Sequence, residues 1–182
     1  MAKALAMAEL TTVSTGMKAA DIMVKTAEVN VIEAEVVCPG KYIILIEGEL
    51  SAVRASVDAV KGMFPEKLID SFVLGNPHES IFSAIYGSTT LGEVDALGVL
   101  ETYSAASIIV AADTAAKTAE VDLIELRIAK GMCGKSYMFI TGSVASVTAA
   151  IERTRSQMED SGFFLDSSVI AKPDEKLWQT LI

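Results

Sequence analysis

The chain has 182 residues, of which 51% are hydrophobic and only 6% aromatic, and its formal net charge is −9 at pH 7. The acidic balance argues against nucleic acid as a partner, because affinity for phosphate backbones comes mainly from clustered Lys and Arg. No apolar run approaches the roughly 20 residues that cross a bilayer, and Glu9 closes the short apolar start. The sequence therefore predicts no membrane partner and no signal peptide, and it favours a cytoplasmic protein.

The first half of the chain predicts the order strand, helix, strand, strand, helix, strand. A short strand begins at Leu5, and β-rich runs at 29–37 and 42–46 flank a turn marked by Pro and Gly. A last strand is expected at 68–74, and Gly62 stands at a plausible C-terminal cap of the second helix. Apolar residues at helical spacing define the buried stripes, which are Met17, Ala20, Val24 and Ala27 in the first helix and Leu50, Val53, Val57 and Val60 in the second.

The second half of the chain repeats the first. Residues 19–33 align with 111–125 at an offset of 92, and ten of these fifteen positions are identical. The offset grows to 94 where Gly40 meets Gly134, so the second copy is longer at its loops, which tolerate changes of length. The sequence predicts two domains, 1–90 and 91–182, each an α+β layer in which helices cover a four-stranded antiparallel sheet.

This element order, together with the Ala-Asp-x-x-x-Lys-Thr-Ala element at 20–27 and its counterpart at 112–119, resembles the bacterial microcompartment (BMC) shell domain. The resemblance covers essentially the whole chain. It implies two ferredoxin-like-related domains per chain and a homotrimer that imitates the six-domain tile of the family. It also implies a structural protein of the microcompartment shell, with other shell proteins as partners. No Ser/His/Asp set or matched acid pair in the sequence indicates an enzyme.

The first turn, at 37–42, and the segment at 169–178 are similar to those of the tandem-domain shell proteins of propanediol-utilisation compartments. The resemblance implies one iron–sulfur cluster per trimer, of the 4Fe-4S type, held on the pore axis by Cys38 of each chain. The cluster would transfer electrons across the shell or be delivered to an encapsulated redox enzyme. Thiolates suit iron in such clusters. The loops expected to line the axis consist of Val37, Cys38, Pro39, Gly40 and Lys41 in the first copy and of Lys130, Gly131, Met132, Cys133, Gly134 and Lys135 in the second.

Other interpretations of these residues stay open. Without the family, a single cysteine such as Cys38 is more often an inert packing residue than a metal ligand. Cys133 fits either a pore-edge thiol or a small residue in a Gly-rich turn. The shell trimer could instead hold a metabolite pore without a cluster. Alternatively, the tandem repeat could be a regulatory module that binds a small ligand.

The remaining charged residues have simpler interpretations. The resemblance assigns Lys25 and Lys117 to contacts between neighbouring tiles, although Asn76 and Lys172 stand where the family carries its partner Arg. His78 is expected to be a solvated loop residue. Backbone N–H groups of Gly40 and Lys41 are expected to face the negative charge of the cluster.

Carboxylates spaced along the second strand of each copy are predicted to be surface charge. These are Glu28, Glu33, Glu35, Glu120 and Glu125.

Overall fold

A computed structural model describes residues 4–89 and 95–181 of the chain. Its first copy consists of β1 (Ala4–Leu10), α1 (Val13–Thr26), β2 (Val29–Val37), β3 (Lys41–Gly48), α2 (Leu50–Met63), β4 (Leu68–Leu74) and α3 (Ser80–Ile85). The second copy consists of β5 (Ala96–Thr102), α4 (Ala105–Thr118), β6 (Asp122–Arg127), β7 (Ser136–Gly142), α5 (Val144–Glu159), β8 (Phe164–Ile170) and α6 (Glu175–Trp178). The predicted strands at 29–37 and 68–74 are confirmed to the residue.

Each copy forms a four-stranded antiparallel sheet. The strand order is β2-β3-β1-β4 in the first sheet and β6-β7-β5-β8 in the second, so the two topologies are the same. Even the irregularities repeat, because the register shifts between Glu9 and Leu10 in one sheet and between Glu101 and Thr102 in the other. Since bulges are local features of a strand pair, their recurrence at an offset of 92 supports a duplicated domain. The predicted α+β class is confirmed.

Helices α1 and α2 pack on the first sheet over a core of small and branched apolar residues. The predicted stripe of α2 is confirmed at Val53, Val57 and Val60, all of which are buried. The stripe predicted for α1 is wrong by one residue. The helix buries Gly16, Ala19 and Met23, while Met17 is 58% exposed.

The physical reason is that α1 carries two apolar faces, and the sheet takes the one with the smaller residues. A side chain at Gly16 would overlap the Tyr42 ring, so the helix lies close to β3 only along that face. The predicted cap at Gly62 is also wrong. Helix α2 continues to Met63, and the backbone N–H of Phe64 donates to the carbonyl of Val60 at its end.

The chain divides into two compact units. The first contains the described residues up to Pro77 together with two segments of the second copy, Ser104–Ser107 and Ala129–Lys135. The second contains the other described residues. The predicted boundary between residues 90 and 91 lies outside the described residues. None of the helices in the described ranges is both long and apolar enough to cross a membrane.

Candidate functional site

The first predicted loop is a three-residue turn between β2 and β3. The N–H of Gly40 donates to the carbonyl of Val37 at 2.9 Å, so it is already engaged within the turn. Gly40 has φ +113, which L side chains rarely adopt, and the Cys38–Pro39 peptide bond is cis. Cys38 is a free, half-buried thiol, and Pro39 is exposed. The turn therefore holds its thiol within reach of a ligand.

The second predicted loop is longer and occupies residues 128–135, between β6 and β7. Two of its residues with side chains, Ala129 and Cys133, have φ of 56 and 53. Such left-handed conformations cost roughly 1–2 kcal/mol for an L residue, so this loop is held in place by its surroundings. Cys133 is an exposed free thiol. The structure thus gives the two cysteines different settings.

Within the first compact unit, the two loops lie against each other at Gly134. A Cβ on Gly134 would stand 3.0 Å from both the Cys38 carbonyl oxygen and Lys41 Cε. Lys41 Nζ also donates to the Gly134 carbonyl at 3.3 Å. Glycine is required here for close approach, and its backbone supports the turn that carries Cys38.

Lys41 joins this contact to a buried carboxylate. Its Nζ lies 2.8 Å from Glu9 Oε1, and the side chain of Glu9 is completely buried. The second oxygen, Oε2, accepts from the N–H groups of Ala105 at 2.8 Å and Ala106 at 3.4 Å. A buried carboxylate needs such partners, and the start of a helix also favours negative charge. Sequence reasoning missed Glu9, because its partners are 32 and about a hundred residues away.

A second ion-pair group lies in the same compact unit. Lys130 Nζ stands 2.6 Å from Glu35 Oε1 and 3.2 Å from Glu33 Oε1. Partial burial lowers the pKa of Lys130, but the polar contacts with Glu35 and Glu33 and the charges of these two carboxylates together outweigh it, so the pKa is raised above its ordinary value. The prediction that these carboxylates are plain surface charge is wrong for Glu33, since only 17% of its side chain is exposed and it binds a lysine from the second loop.

On the equivalent strand of the second copy, Glu125 is paired with residues of its own copy. Glu125 accepts hydrogen bonds from Arg127 Nε at 3.0 Å and from Tyr137 Oη at 2.9 Å. The hydrogen bond and charge of Glu125 raise the pKa of Arg127. Burial, followed by the hydrogen bond to Glu125, raises the pKa of Tyr137. The two copies therefore use different partners at matching positions.

The other predicted site residues lie elsewhere. Lys25 is exposed and pairs with Asp21 at 2.7 Å, one helical turn earlier, and Lys117 pairs with Asp113 in the same way. His78 is half-buried, and its Nδ1 lies 2.8 Å from Ser80 Oγ. Within residues 4–89 and 95–181, no three His, Cys, Asp or Glu side chains of one chain are grouped to hold a metal ion.

Two copies of one sheet topology, joined in one chain, define a tandem-domain protein, and the match to a known family identifies its class. The BMC domain model matches residues 4–77 and again residues 96–173. The chain therefore belongs to the BMC-domain family and is a structural, non-catalytic protein of a bacterial microcompartment shell.

Among individual proteins, the chain is 35% identical over 182 residues to the bacterial microcompartment shell protein PduT of Citrobacter freundii, covering 100% of this chain and 99% of PduT. A crystal structure of a microcompartment protein from Desulfitobacterium hafniense DCB shares 43% identity and a TM-score of 0.86, over 98% of this chain and 99% of that one. The carboxysome assembly protein CcmO of Synechococcus is 26% identical over 89% of this chain and 62% of its own length. The family and shell location inferred from the sequence are confirmed, whereas the roles of Cys38, Lys25 and Lys117 stay predictions.

Proposed function

We propose that three copies of this chain form a ring in the shell, and that Cys38 of each copy binds one 4Fe-4S cluster on the three-fold axis. The observation that carries the proposal is the setting of Cys38: a free, partly exposed thiol in a three-residue turn whose backbone lies close to Gly134. A cluster so placed would serve electron transfer across the shell or delivery to an encapsulated redox enzyme.

The chemistry of the donor fits such a group. Thiolate is the usual ligand of iron in these clusters, and each chain offers one suitable thiol at this turn. Because the described part of a single chain holds no three-ligand group, the symmetry of a trimer is the simplest source of three cysteines. When bound, the cluster would supply one-electron redox chemistry.

The chain's own residues would position that ligand. Pro39 fixes the backbone next to the thiol, and the Val37–Gly40 hydrogen bond closes the turn. A Cβ added at Gly40 or at Gly131 would meet no atom within 4 Å, so there is open space beside both loops at these two positions. Cys133, in its strained conformation on the longer loop, is not assigned to the cluster.

Iron and sulfide analysis after anaerobic reconstitution tests the cluster. The intact chain should bind about four irons and four sulfides per three chains and absorb visible light. Cys38→Ser should lose this iron, while Cys133→Ser, the matched control in the neighbouring loop, should keep it. Native mass measurement should give three chains. A colourless, iron-free intact trimer would overturn the cluster and favour a pore for a small metabolite.

Assembly of the trimers with other shell proteins is the second part of the proposal. We assign the tile-edge contact to Lys25 and Lys117, which both lie in the last turn of their helix. Lys25 is 72% exposed, and the partner that the described residues give it is Asp21 on the same helix, so it can reach a neighbouring tile. An exposed pair of this kind contributes little to folding, and Lys25→Ala should reduce sheet formation in electron micrographs without changing thermal stability.

A further inference from the structure

Two carboxylates of the first copy bind the start of helix α4. Glu9 Oε2 accepts from the backbone N–H groups of Ala105 and Ala106. Asp70 Oδ2 accepts from the hydroxyls of Ser104 and Ser107, the latter at 2.6 Å. We call this set the internal junction. It lies within the first compact unit, which includes Ser104–Ser107.

The second copy carries the same pair of carboxylates. Glu9 stands opposite Asp70 in the pairing of β1 with β4, and Glu101 stands opposite Asp166 in the pairing of β5 with β8. Both pairings have their register shift at the next residue. Glu101 and Asp166 are therefore held on their sheet as the internal junction's carboxylates are held on theirs.

The first copy carries the same pair of hydroxyls. Thr12 and Thr15 correspond to Ser104 and Ser107 at the offset of 92, and α1 begins at Val13 as α4 begins at Ala105. Here, however, Thr12 Oγ1 donates to Thr15 Oγ1 at 3.0 Å, and the first turn of α1 contains no acid and no side-chain cap. Every part of a second junction is present in the chain.

The carboxylates of this second set have different surroundings from those of the internal junction. In the part of the chain that the structure describes, Glu101 and Asp166 make no hydrogen bond to a helix start, and Asp166 is exposed. Val13 and Met17 on α1 are also exposed, at 37% and 58%, whereas their counterparts on α4, Ala105 and Ile109, are fully buried. The exposed apolar residues mark a face of α1 that a partner would cover.

We propose that Glu101 and Asp166 of one chain bind Thr12, Thr15 and the start of α1 in the next chain, repeating the internal junction between chains. The occupant of this face is therefore a second copy of the chain. The inference deepens the proposed ring and rests on it. The two chains contribute different residues to this contact, so the interface is heterologous. Three such contacts close a ring.

A charge swap across this junction tests the proposal by native mass and dilution light scattering. Asp166→Lys places a cation against the start of α1, which disfavours positive charge, and should raise the trimer dissociation constant at least about tenfold. Thr15→Asp, which sets an acid opposite Asp166, should weaken the ring similarly. The double variant should restore it.

Asp58→Lys is the matched control, because it makes the same charge change at an exposed position on α2 and should leave the trimer intact. Circular dichroism should show that each variant folds, as expected for exposed positions. An intact chain that is monomeric would overturn the ring and this junction together. A trimer that survives Asp166→Lys, or that the double variant fails to restore, would overturn the junction and leave the ring standing.

Discussion

The turn at residues 38–40 and the loop at residues 128–135 occupy the same place in two copies of one domain, and they have diverged in complementary ways. The turn carries the half-buried thiol of Cys38, followed by Pro39 and Gly40. The loop carries Gly134, which lies close to the Cys38 carbonyl oxygen, and Lys130, which binds the carboxylates of β2. The comparison shows one copy keeping a candidate ligand while the other supplies its support.

The strands behind these loops have diverged in step with them. Glu35 on β2 corresponds to Arg127 on β6 at the offset of 92, and this reversal of charge changes the local balance. Strand β2 carries Glu33 and Glu35, whose charge Lys130 partly neutralises, whereas Arg127 pairs with Glu125 on its own strand. Glu125 therefore has a cation on its own strand, whereas the carboxylates of β2 receive theirs from the loop at residues 128–135.

Removing Lys41 should have the largest effect on this arrangement. Lys41→Met would leave the fully buried Glu9 carboxylate without its cation, and breaking such a pair costs about 3–5 kcal/mol. Denaturant unfolding, at concentrations where the chains stay separate, should show this loss. Lys135→Met, the exposed counterpart in the second copy, should change the unfolding free energy by less than about 0.5 kcal/mol. Equal losses of unfolding free energy in Lys41→Met and Lys135→Met would contradict the proposed difference between the two lysines.

A smaller loss is expected from filling the contact between the loops. Gly134→Ala combines a left-handed backbone with a Cβ only 3.0 Å from the Cys38 carbonyl oxygen and from Lys41 Cε, and should cost roughly 2–3 kcal/mol in thermal unfolding. Gly131→Ala is the matched control, since its φ of +75 is similar and its Cβ would meet nothing within 4 Å. It should cost about 1 kcal/mol. If both variants lost the same amount, backbone conformation alone would explain Gly134.

Much of this fold could be predicted because it is written in local patterns. Strand β4 and the stripe of α2 follow from alternation and helical spacing, and the offset of 92 exposes the duplication. The stripe of α1 could not be chosen correctly, because Met17 and Val24 form a second apolar face as regular as the buried one. Periodicity gives the number of faces and not which of them the sheet covers.

The candidate site was less accessible to sequence reasoning. Cys38 and the two loops could be found from the turn residues and the resemblance. The partners of Glu9 and Glu33 could not, because each is joined to residues about a hundred positions away by packing that no local pattern records. One signal was available: Glu9 interrupts an apolar strand, and a carboxylate at such a position requires a compensating partner.

The smallest predicted loss of stability comes from removing Lys130, and its dependence on pH should differ from that of removing Arg127 in the second copy. Lys130→Met removes a half-exposed ion pair and should cost about 0.5–1 kcal/mol at neutral pH, since solvent screens such pairs. Because the pKa of Lys130 is raised in the folded chain, its stabilisation is complete below the unfolded value of about 10.4 and is lost as pH rises through the folded value. The difference from the unmodified chain should therefore vanish in alkaline solution. Arg127→Met should keep its difference over the same range, because the guanidinium stays charged there. A Lys130 difference that persists above this window would show that packing of the lysine stem, rather than its charge, stabilises β2.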